Sequence, residues 1–190
     1  MTSVSLKCNC GQVQGTAHNI NAKEGTRVIC CCDDCQAFAK HLNAEDMTLD
    51  QFGGTEVFQS MPAQMSIEQG QEHLRCLRHT KKGILRWYAS CCKTPVANTI
   101  KASMPFVGLI HTFMDLDNRD DVLGPVRAHV QIQHAIGTPD YPNKSDKFPL
   151  ALTGRMIRKV MLGRLQGKQS PSVFFGDDGR PCVKPVILNT

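Results

Sequence analysis

Eight of the ten cysteines in this chain of 190 residues fall into closely spaced groups, and these groups constrain the fold more than any other feature. The groups are Cys8 with Cys10, then Cys30, Cys31, Cys32 and Cys35, and finally Cys91 with Cys92. Thiolates two or three residues apart are typical ligands of a borderline-soft ion such as zinc. The N-terminal residues lack the pattern of a secretion signal, and a reducing cytosol gives no reason to keep so many cysteines for disulfides. The spacing therefore predicts zinc sites in a cytoplasmic protein.

The composition and length predict one folded domain. Hydrophobic residues make up 41% of the chain and charged residues 21%, which is typical of a folded protein rather than a disordered one. We expect a single domain over residues 1–190, with a zinc-binding core at 1–135 and a C-terminal extension at 136–190. No apolar segment approaches the roughly 20 residues that span a bilayer, so we expect no membrane partner.

Short alternating segments bounded by turn residues predict a mostly β fold. The clearest of them are 4–8, 12–18, 55–59, 72–78, 84–89 and 126–132. Each alternates apolar and polar side chains, as half-buried strands do. The sequence shows no strand–helix–strand alternation of the kind that predicts a parallel sheet.

Two segments have the pattern of a helix. Asp33 or Asp34 can cap a short helix through Lys40, which would place Cys35 in the first turn, where the positive helix end favours a thiolate. The second helix is predicted at about 150–165 in the C-terminal extension. Its apolar stripe predicts an amphipathic helix that packs on the core or on a second subunit. A homodimer is therefore one of the two possibilities. The stripe contains Leu152, Met156, Val160 and, one position off the line, Leu162.

The first cysteine pair needs partners from a distant part of the chain. On an extended strand Cys8 and Cys10 point from the same face and can hold one ion, but two ligands do not complete a tetrahedron. Cys91 and Cys92 follow the predicted strand at 84–89 and are the natural partners. This closure predicts a structural zinc that ties the first strand to a later one.

The second group predicts a zinc site with an open position. Cys30 and Cys32 share one face of an extended segment, and Cys35 returns after the chain turns into the short helix. A zinc ion with three protein ligands keeps a fourth position for water or a substrate thiol. Cys31 points away and is not predicted as a ligand. Without metal, three close thiols would oxidise readily, which leaves a redox sensor as an alternative.

The remaining cysteines are predicted to be small buried hydrophobic residues, an interpretation that is preferred for Cys182 and slightly preferred for Cys76.

The formal net charge of +5 does not by itself indicate nucleic-acid binding. Zinc held by four thiolates carries about −2 and zinc held by three about −1, so filling both sites lowers the net charge to about +2. The residual basic cluster contains Arg155, Arg158, Lys159, Arg164 and Lys168. Because no aromatic residues interleave with it, we favour a solvated helix face or contact with a small anion over nucleic acid.

Three blocks of sequence resemble motifs of the glutathione-dependent formaldehyde-activating enzyme family, which also includes centromere protein V. The blocks are Cys8-Asn9-Cys10-Gly11-Gln12-Val13, Cys30-Cys31-Cys32-Asp33-Asp34-Cys35-Gln36 and Cys92-Lys93-Thr94-Pro95-Val96. Their order and separation also agree with the family. The resemblance covers about the first hundred residues, and this chain looks like a divergent member.

The resemblance implies a β-tent fold with two zinc ions. Cys8, Cys10 and Cys92 would be ligands of the structural zinc, and Cys30, Cys32 and Cys35 would be ligands of the catalytic zinc. The family usually closes its structural site with C-x-x-C followed by glycine, whereas this chain has Ala89 and Lys93 at those positions. The fourth structural ligand is then either Cys91, which we favour narrowly, or Cys76 on the predicted neighbouring strand.

The activity implied by the resemblance is the joining of glutathione to formaldehyde. We expect a zinc-dependent carbon–sulfur lyase, similar to S-(hydroxymethyl)glutathione synthase, that adds a glutathione-like thiol to formaldehyde or another small aldehyde. Two alternatives remain, a non-catalytic zinc scaffold or binding module and a cysteine redox sensor, because the motif family is not confined to enzymes.

Overall fold

The computed structural model describes residues 2–23 and 25–188, and within them the chain forms twelve strands. The strands are β1 (Thr2–Lys7), β2 (Gln14–Ile20), β3 (Thr26–Cys30), β4 (Thr55–Ser60), β5 (Met65–Gln69), β6 (Leu74–Arg78), β7 (Leu85–Ala89), β8 (Thr94–Thr99), β9 (Val107–Ile110), β10 (Ala128–Val130), β11 (Lys144–Ser145) and β12 (Val186–Ile187). The mostly β character that the sequence predicts is confirmed.

Helices occupy a smaller part of the described chain. The α-helices are α1 (Asp33–His41), α2 (Glu45–Thr48), α3 (Arg119–Leu123) and α4 (Leu150–Leu165), and short 3-10 turns cover Pro62–Gln64, Gln71–His73, His111–Phe113 and Ile132–His134. Helix α1 begins after Cys32, so Asp33 and Asp34 lie in its first turn rather than at the N-cap position. Their carboxylates still complement the positive end of the helix.

The strands form two sheets. A nine-stranded sheet has the order β11-β10-β3-β4-β9-β8-β7-β6-β12, and a three-stranded sheet has the order β1-β2-β5. Most neighbours are antiparallel, but β10 runs parallel to both β3 and β11, and β12 runs parallel to β6. The sequence did not predict these parallel pairs, because β11 and β12 are only two residues long and the alternation at 126–132, which contains β10, does not indicate which strands it pairs with.

The two sheets share one hydrophobic core. Val4 and Leu6 of β1 belong to the same buried cluster as Trp87 of β7 and Val96 of β8. All six residues of β8 are buried, so both faces of this strand are covered. The indole N–H of Trp87 donates a hydrogen bond of 2.9 Å to the hydroxyl of Thr99, which satisfies the polar atom of this buried ring.

The C-terminal segment after α4 completes this core. The ring of Phe174 is fully buried, and its centroid lies 5.0 Å from that of Trp87. Phe175 packs edge-on against the same indole at 6.4 Å. Phe174 and Phe175 therefore belong to the core that the large sheet covers.

Helix α4 rests on the large sheet through a few specific contacts. Leu152 is buried near its start, and Gly163 is buried near its end, where an added Cβ would lie 2.9 Å from the sulfur of Met61. Lys159 donates to the carbonyl of Gln59 at 2.7 Å, and Arg164 donates to that of Ser103 at 3.0 Å. These two basic side chains of the predicted cluster thus hold the helix to the body of the protein.

None of the helices among residues 2–23 and 25–188 is long and apolar enough to cross a bilayer.

Candidate metal centres

The first cluster joins the end of β1 to the turn between β7 and β8. Cys8 and Cys10 lie in the turn that follows β1, and Cys91 and Cys92 lie in the turn that follows β7. The four cysteine sulfurs all lie within 4.8 Å of one another. The structure therefore brings together the four residues that the sequence nominated for the structural zinc.

The spacing of these sulfurs fits a tetrahedral ion. The separations are 3.6 Å for Cys8 and Cys10, 3.7 Å for Cys8 and Cys91, and 3.8 Å for Cys91 and Cys92. A tetrahedron with zinc–sulfur bonds of about 2.3 Å requires sulfur–sulfur separations of roughly 3.8 Å. The donor set and its spacing are thus those of a closed four-thiolate site.

The structure separates the two candidates for the fourth ligand. Cys91 belongs to the four-sulfur group, whereas Cys76 does not. Cys76 is buried in β6, its thiol faces the carbonyl of Leu77 at 3.9 Å, and burial raises its pKa to about 12. It has the properties of a small buried hydrophobic residue.

Neutral hydrogen-bond donors surround the four-cysteine cluster. The backbone N–H of Val13 donates to the sulfur of Cys8 at 3.2 Å. The hydroxyl of Thr94 accepts from the N–H of Asn9 at 3.0 Å and lies 3.1 Å from the sulfur of Cys92, to which it can donate its own hydrogen. Burial raises the pKa of Cys92, but hydrogen bonds from Thr94 and Cys10 together outweigh it and lower that pKa to about 6. Thr94 thus favours the thiolate form that a metal ion requires.

The turn at this cluster contains a residue in an unusual backbone conformation. Lys93 follows Cys92 directly and has a φ of +61°. This left-handed region favours glycine, which is the residue that the resembling family usually has there. The conformation reverses the chain into β8 while both adjacent cysteines stay in the cluster.

The second cluster lies where β3 passes into α1. Cys30 ends the strand, Cys32 occupies the N-cap position, and Cys35 lies in the first turn of the helix. Their sulfurs all lie within 4.8 Å of one another, and those of Cys32 and Cys35 are 3.3 Å apart. Cys31 is fully buried but is not part of this group, which agrees with the alternation of an extended segment.

A buried arginine, which the sequence analysis missed, stands beside the second cluster. Arg86 in β7 is 2% exposed, and one of its terminal nitrogens lies 3.9 Å from the sulfur of Cys35. The other pairs with the carboxylate of Asp34 at 3.4 Å. Hydrogen bonds from the thiols of Cys30 and Cys32, together with this guanidinium, hold the pKa of Cys35 well below its usual range. These surroundings therefore favour the thiolate form of Cys35.

A cavity of about 470 Å³ opens onto this second cluster. Its polar wall contains Asp33, Asp34, Arg86, Asn98, Gln131 and His134, and its apolar wall includes Ile100, Phe106, Phe148 and Met156. His134 pairs with the carboxylate of Asp33 at 2.8 Å. The volume is within the range of small-molecule sites. Nothing in the sequence around position 134 indicated that this histidine lines the same cavity as the cysteines.

The expectation for the remaining cysteine, Cys182, was wrong. Its side chain is exposed rather than buried, and its thiol faces the carbonyl of Val173 at 3.5 Å. The segment after Phe175 runs along the surface, so an apolar position there need not point into the core.

Comparison with known proteins identifies a family for this chain. A search of the curated proteins returned no match. Residues 1–185 match a family described as a family of unknown function, DUF6151. Because this match covers nearly the whole chain, including both cysteine clusters and α4, the protein belongs to the DUF6151 family.

Proposed function

We propose that this protein is a zinc-dependent enzyme that adds a thiol to an aldehyde, with glutathione and formaldehyde as the reference substrates. The observation that carries the proposal is the three-cysteine group, which lies at a cavity beside a buried guanidinium. The resemblance of the motif blocks to glutathione-dependent formaldehyde-activating enzymes supports the same reaction class, a carbon–sulfur lyase, and implies a β-tent fold for the core.

The two clusters suit different tasks. Cys8, Cys10, Cys91 and Cys92 supply four sulfurs and would close a structural zinc site. Cys30, Cys32 and Cys35 supply three sulfurs next to the cavity and would leave one position open. A zinc ion there would supply Lewis acidity toward the thiol or the aldehyde oxygen.

The reaction is an addition without a change of oxidation state. The sulfur of the thiol forms a bond to the carbonyl carbon, the carbonyl π bond breaks, and the thiol proton ends on the former carbonyl oxygen. The protein must therefore stabilise a thiolate and the negative charge that develops on oxygen.

Arg86 is suited to that second task. Its guanidinium is buried in the cavity wall, and Asp34 and Asn98 hold it from two sides at 3.4 Å each. Its Nε has no hydrogen-bond partner among the described residues, a situation that a bound acceptor would relieve. A fixed cation here can orient a substrate carboxylate or the developing oxyanion without reorganising during the reaction.

The decisive experiment measures metal content and reaction together. We expect native mass spectrometry of the protein, purified without added metal or chelator, to find two zinc ions per chain. We expect NMR of glutathione with ¹³C-formaldehyde to show faster formation of the adduct in the presence of the protein. Cys30→Ser should lose one zinc and the acceleration, whereas Cys182→Ser should lose neither. Two zinc ions without acceleration would favour a non-catalytic zinc scaffold.

One observation favours a second candidate, the redox sensor. The sulfurs of Cys32 and Cys35 are 3.3 Å apart at the start of a helix, an arrangement that also suits reversible disulfide formation. Native mass spectrometry separates the two candidates. A chain that lacks the second zinc and is lighter by two hydrogen atoms, with a disulfide bond mapped to Cys32 and Cys35, would support the redox sensor over the enzyme.

A further inference from the structure

The cavity at the three-cysteine cluster continues into a second, almost wholly apolar space. This space, here called the apolar groove, has a volume of about 460 Å³. It shares Ile100, Phe106, Phe148 and Met156 with the first cavity, so the two volumes meet along one wall. A molecule whose reacting end lies at the cysteines would enter the groove past these four side chains.

Helix α4 forms the outer wall of the apolar groove. Met156, Ile157, Val160 and Met161 line it from the helix, and Thr153 is the only polar residue among those that line it in the described chain. Ile157 is 54% exposed and Met161 62% exposed, so these side chains present apolar surface to an open space. Apolar surface of this kind beside a candidate active site marks a ligand-binding groove.

The groove is held open by the contacts of α4 with the body of the protein. Gly163 lies against Met61 and Pro105, and an added Cβ would come within 3.2 Å of both residues. Lys159 and Arg164 anchor the same half of the helix to backbone carbonyls. These contacts fix the position of the helix, and with it the outer wall of the groove.

We propose that the apolar groove binds a hydrocarbon chain attached to the reacting carbon or sulfur, so the preferred substrate is an aldehyde or thiol with an apolar chain. The inference rests on the proposed addition reaction and specifies its substrate class. Formaldehyde would leave the groove unused, and the carboxylates of glutathione would find no partner among its apolar side chains. Each methylene buried there should improve kcat/KM roughly twofold to fourfold.

The test uses two homologous series with the full-length protein. One series runs from formaldehyde through propanal and hexanal to octanal with glutathione fixed, and the other runs from ethanethiol to hexanethiol with formaldehyde fixed. We expect kcat/KM to rise with chain length in one of them, which identifies the substrate that carries the chain. Calorimetric binding of 1-octanol, compared with ethanol, measures the groove without any reaction.

Two double variants provide the matched comparison. Ile157→Gln with Met161→Gln changes the groove, whereas Leu162→Gln with Leu165→Gln changes two other exposed apolar residues of the same helix. We expect the first pair to abolish both the dependence on chain length and the binding of 1-octanol, and the second pair to preserve both. All four positions are substantially exposed, so both variants should fold.

The outcomes separate this inference from the proposed function. Turnover of formaldehyde without any chain-length dependence or octanol binding overturns the apolar-chain site and leaves the reaction intact. Octanol binding that the groove variant removes, without turnover of any aldehyde, supports the apolar site and overturns the reaction. A dimer in sedimentation that only the groove variant dissociates shows that a second copy covers the groove, and this also overturns the inference.

Discussion

The two cysteine clusters use the same ligand atom but join very different parts of the chain. Cys8 and Cys91 are 83 positions apart, and their cluster ties the three-stranded sheet to the turn that follows β7. Cys30, Cys32 and Cys35 come from six consecutive positions at one strand–helix junction. Sequence separation, more than residue type, distinguishes a cluster that holds distant parts of the fold together from one that lines a cavity.

The surroundings differ in charge as well. The four-cysteine cluster receives hydrogen bonds from neutral donors, the Val13 N–H and the Thr94 hydroxyl. The three-cysteine cluster has the cation of Arg86 within 3.9 Å of Cys35. A nearby positive charge compensates thiolates in a buried place and remains available to a substrate, whereas neutral donors orient the ligands and favour the thiolate without adding charge.

The largest expected effect contrasts the two clusters directly. We expect Cys8→Ser to lower the free energy of unfolding by more than about 4 kcal/mol, because binding of a structural zinc is itself folding free energy. Cys30→Ser should keep a cooperative thermal transition and lose only the second zinc. Circular dichroism melting and metal analysis measure both, with Cys182→Ser as the control. An equal loss of stability in Cys8→Ser and Cys30→Ser would contradict the proposed difference between the two clusters.

The second prediction concerns the charge beside the open cluster. Arg86→Gln should reduce kcat/KM for thiol addition by about 100-fold, the size expected when one buried group that stabilises an oxyanion is lost. Zinc content should stay at the wild-type level, since Arg86 is not one of the clustered cysteines. Steady-state kinetics and metal analysis are the measurements, and Arg119→Gln, at an arginine that pairs with Glu56, serves as the control. Loss of zinc in Arg86→Gln would show that the arginine supports metal binding instead.

The third prediction tests the neutral donor at the closed cluster. Thr94→Val removes the hydrogen bond to Cys92, so the pKa of that thiol should rise from about 6. A thiol with a higher pKa takes up its proton at higher pH, and metal release on acidification should therefore begin at higher pH. Affinity at neutral pH should fall about tenfold, the lower end for outer partners of metal ligands. Competition with a chromophoric chelator measures both, with Thr16→Val as the control. An unchanged release profile would show that Thr94 does not tune the site.

The smallest effect concerns the turn at the closed cluster. Lys93→Gly should raise the free energy of unfolding by at most about 1 kcal/mol, because glycine adopts the left-handed conformation without strain. The gain is limited by loss of the contact between the Lys93 ammonium and the Tyr88 ring, 5.6 Å apart. Thermal melting measures the change, and Lys101→Gly should instead be neutral or destabilising. A marked loss of stability in Lys93→Gly would contradict this account of the turn.

The sequence was most informative about the cysteine groups, for a physical reason. Ligands two or three residues apart need only local geometry to converge, so Cys30, Cys32 and Cys35 could be grouped from spacing alone. The fourth member of the other cluster could not be fixed in this way. Cys91 and Cys92 both lie in the cluster, in a turn where Lys93 adopts a left-handed conformation that the sequence does not indicate.

The cavity could not be predicted from the sequence. Alternation in β7 places Arg86 on the face opposite Trp87, and such a face is normally solvated. In the structure α1 covers it, with Asp34 and Phe38 in contact with the guanidinium. Long-range packing of this kind leaves no local pattern, and the same is true of His134 and of the short parallel strands.

The packing of Phe174 on Trp87 makes the burial of that indole depend on the last part of the chain. The indole belongs to the first half of the sequence, but its cover is synthesised only after α4. A copy that is truncated by early termination or clipped by a protease before residue 174 would present a large aromatic surface to the solvent. Surfaces of that kind attract chaperones and proteases, so defective copies would carry their own signal for removal.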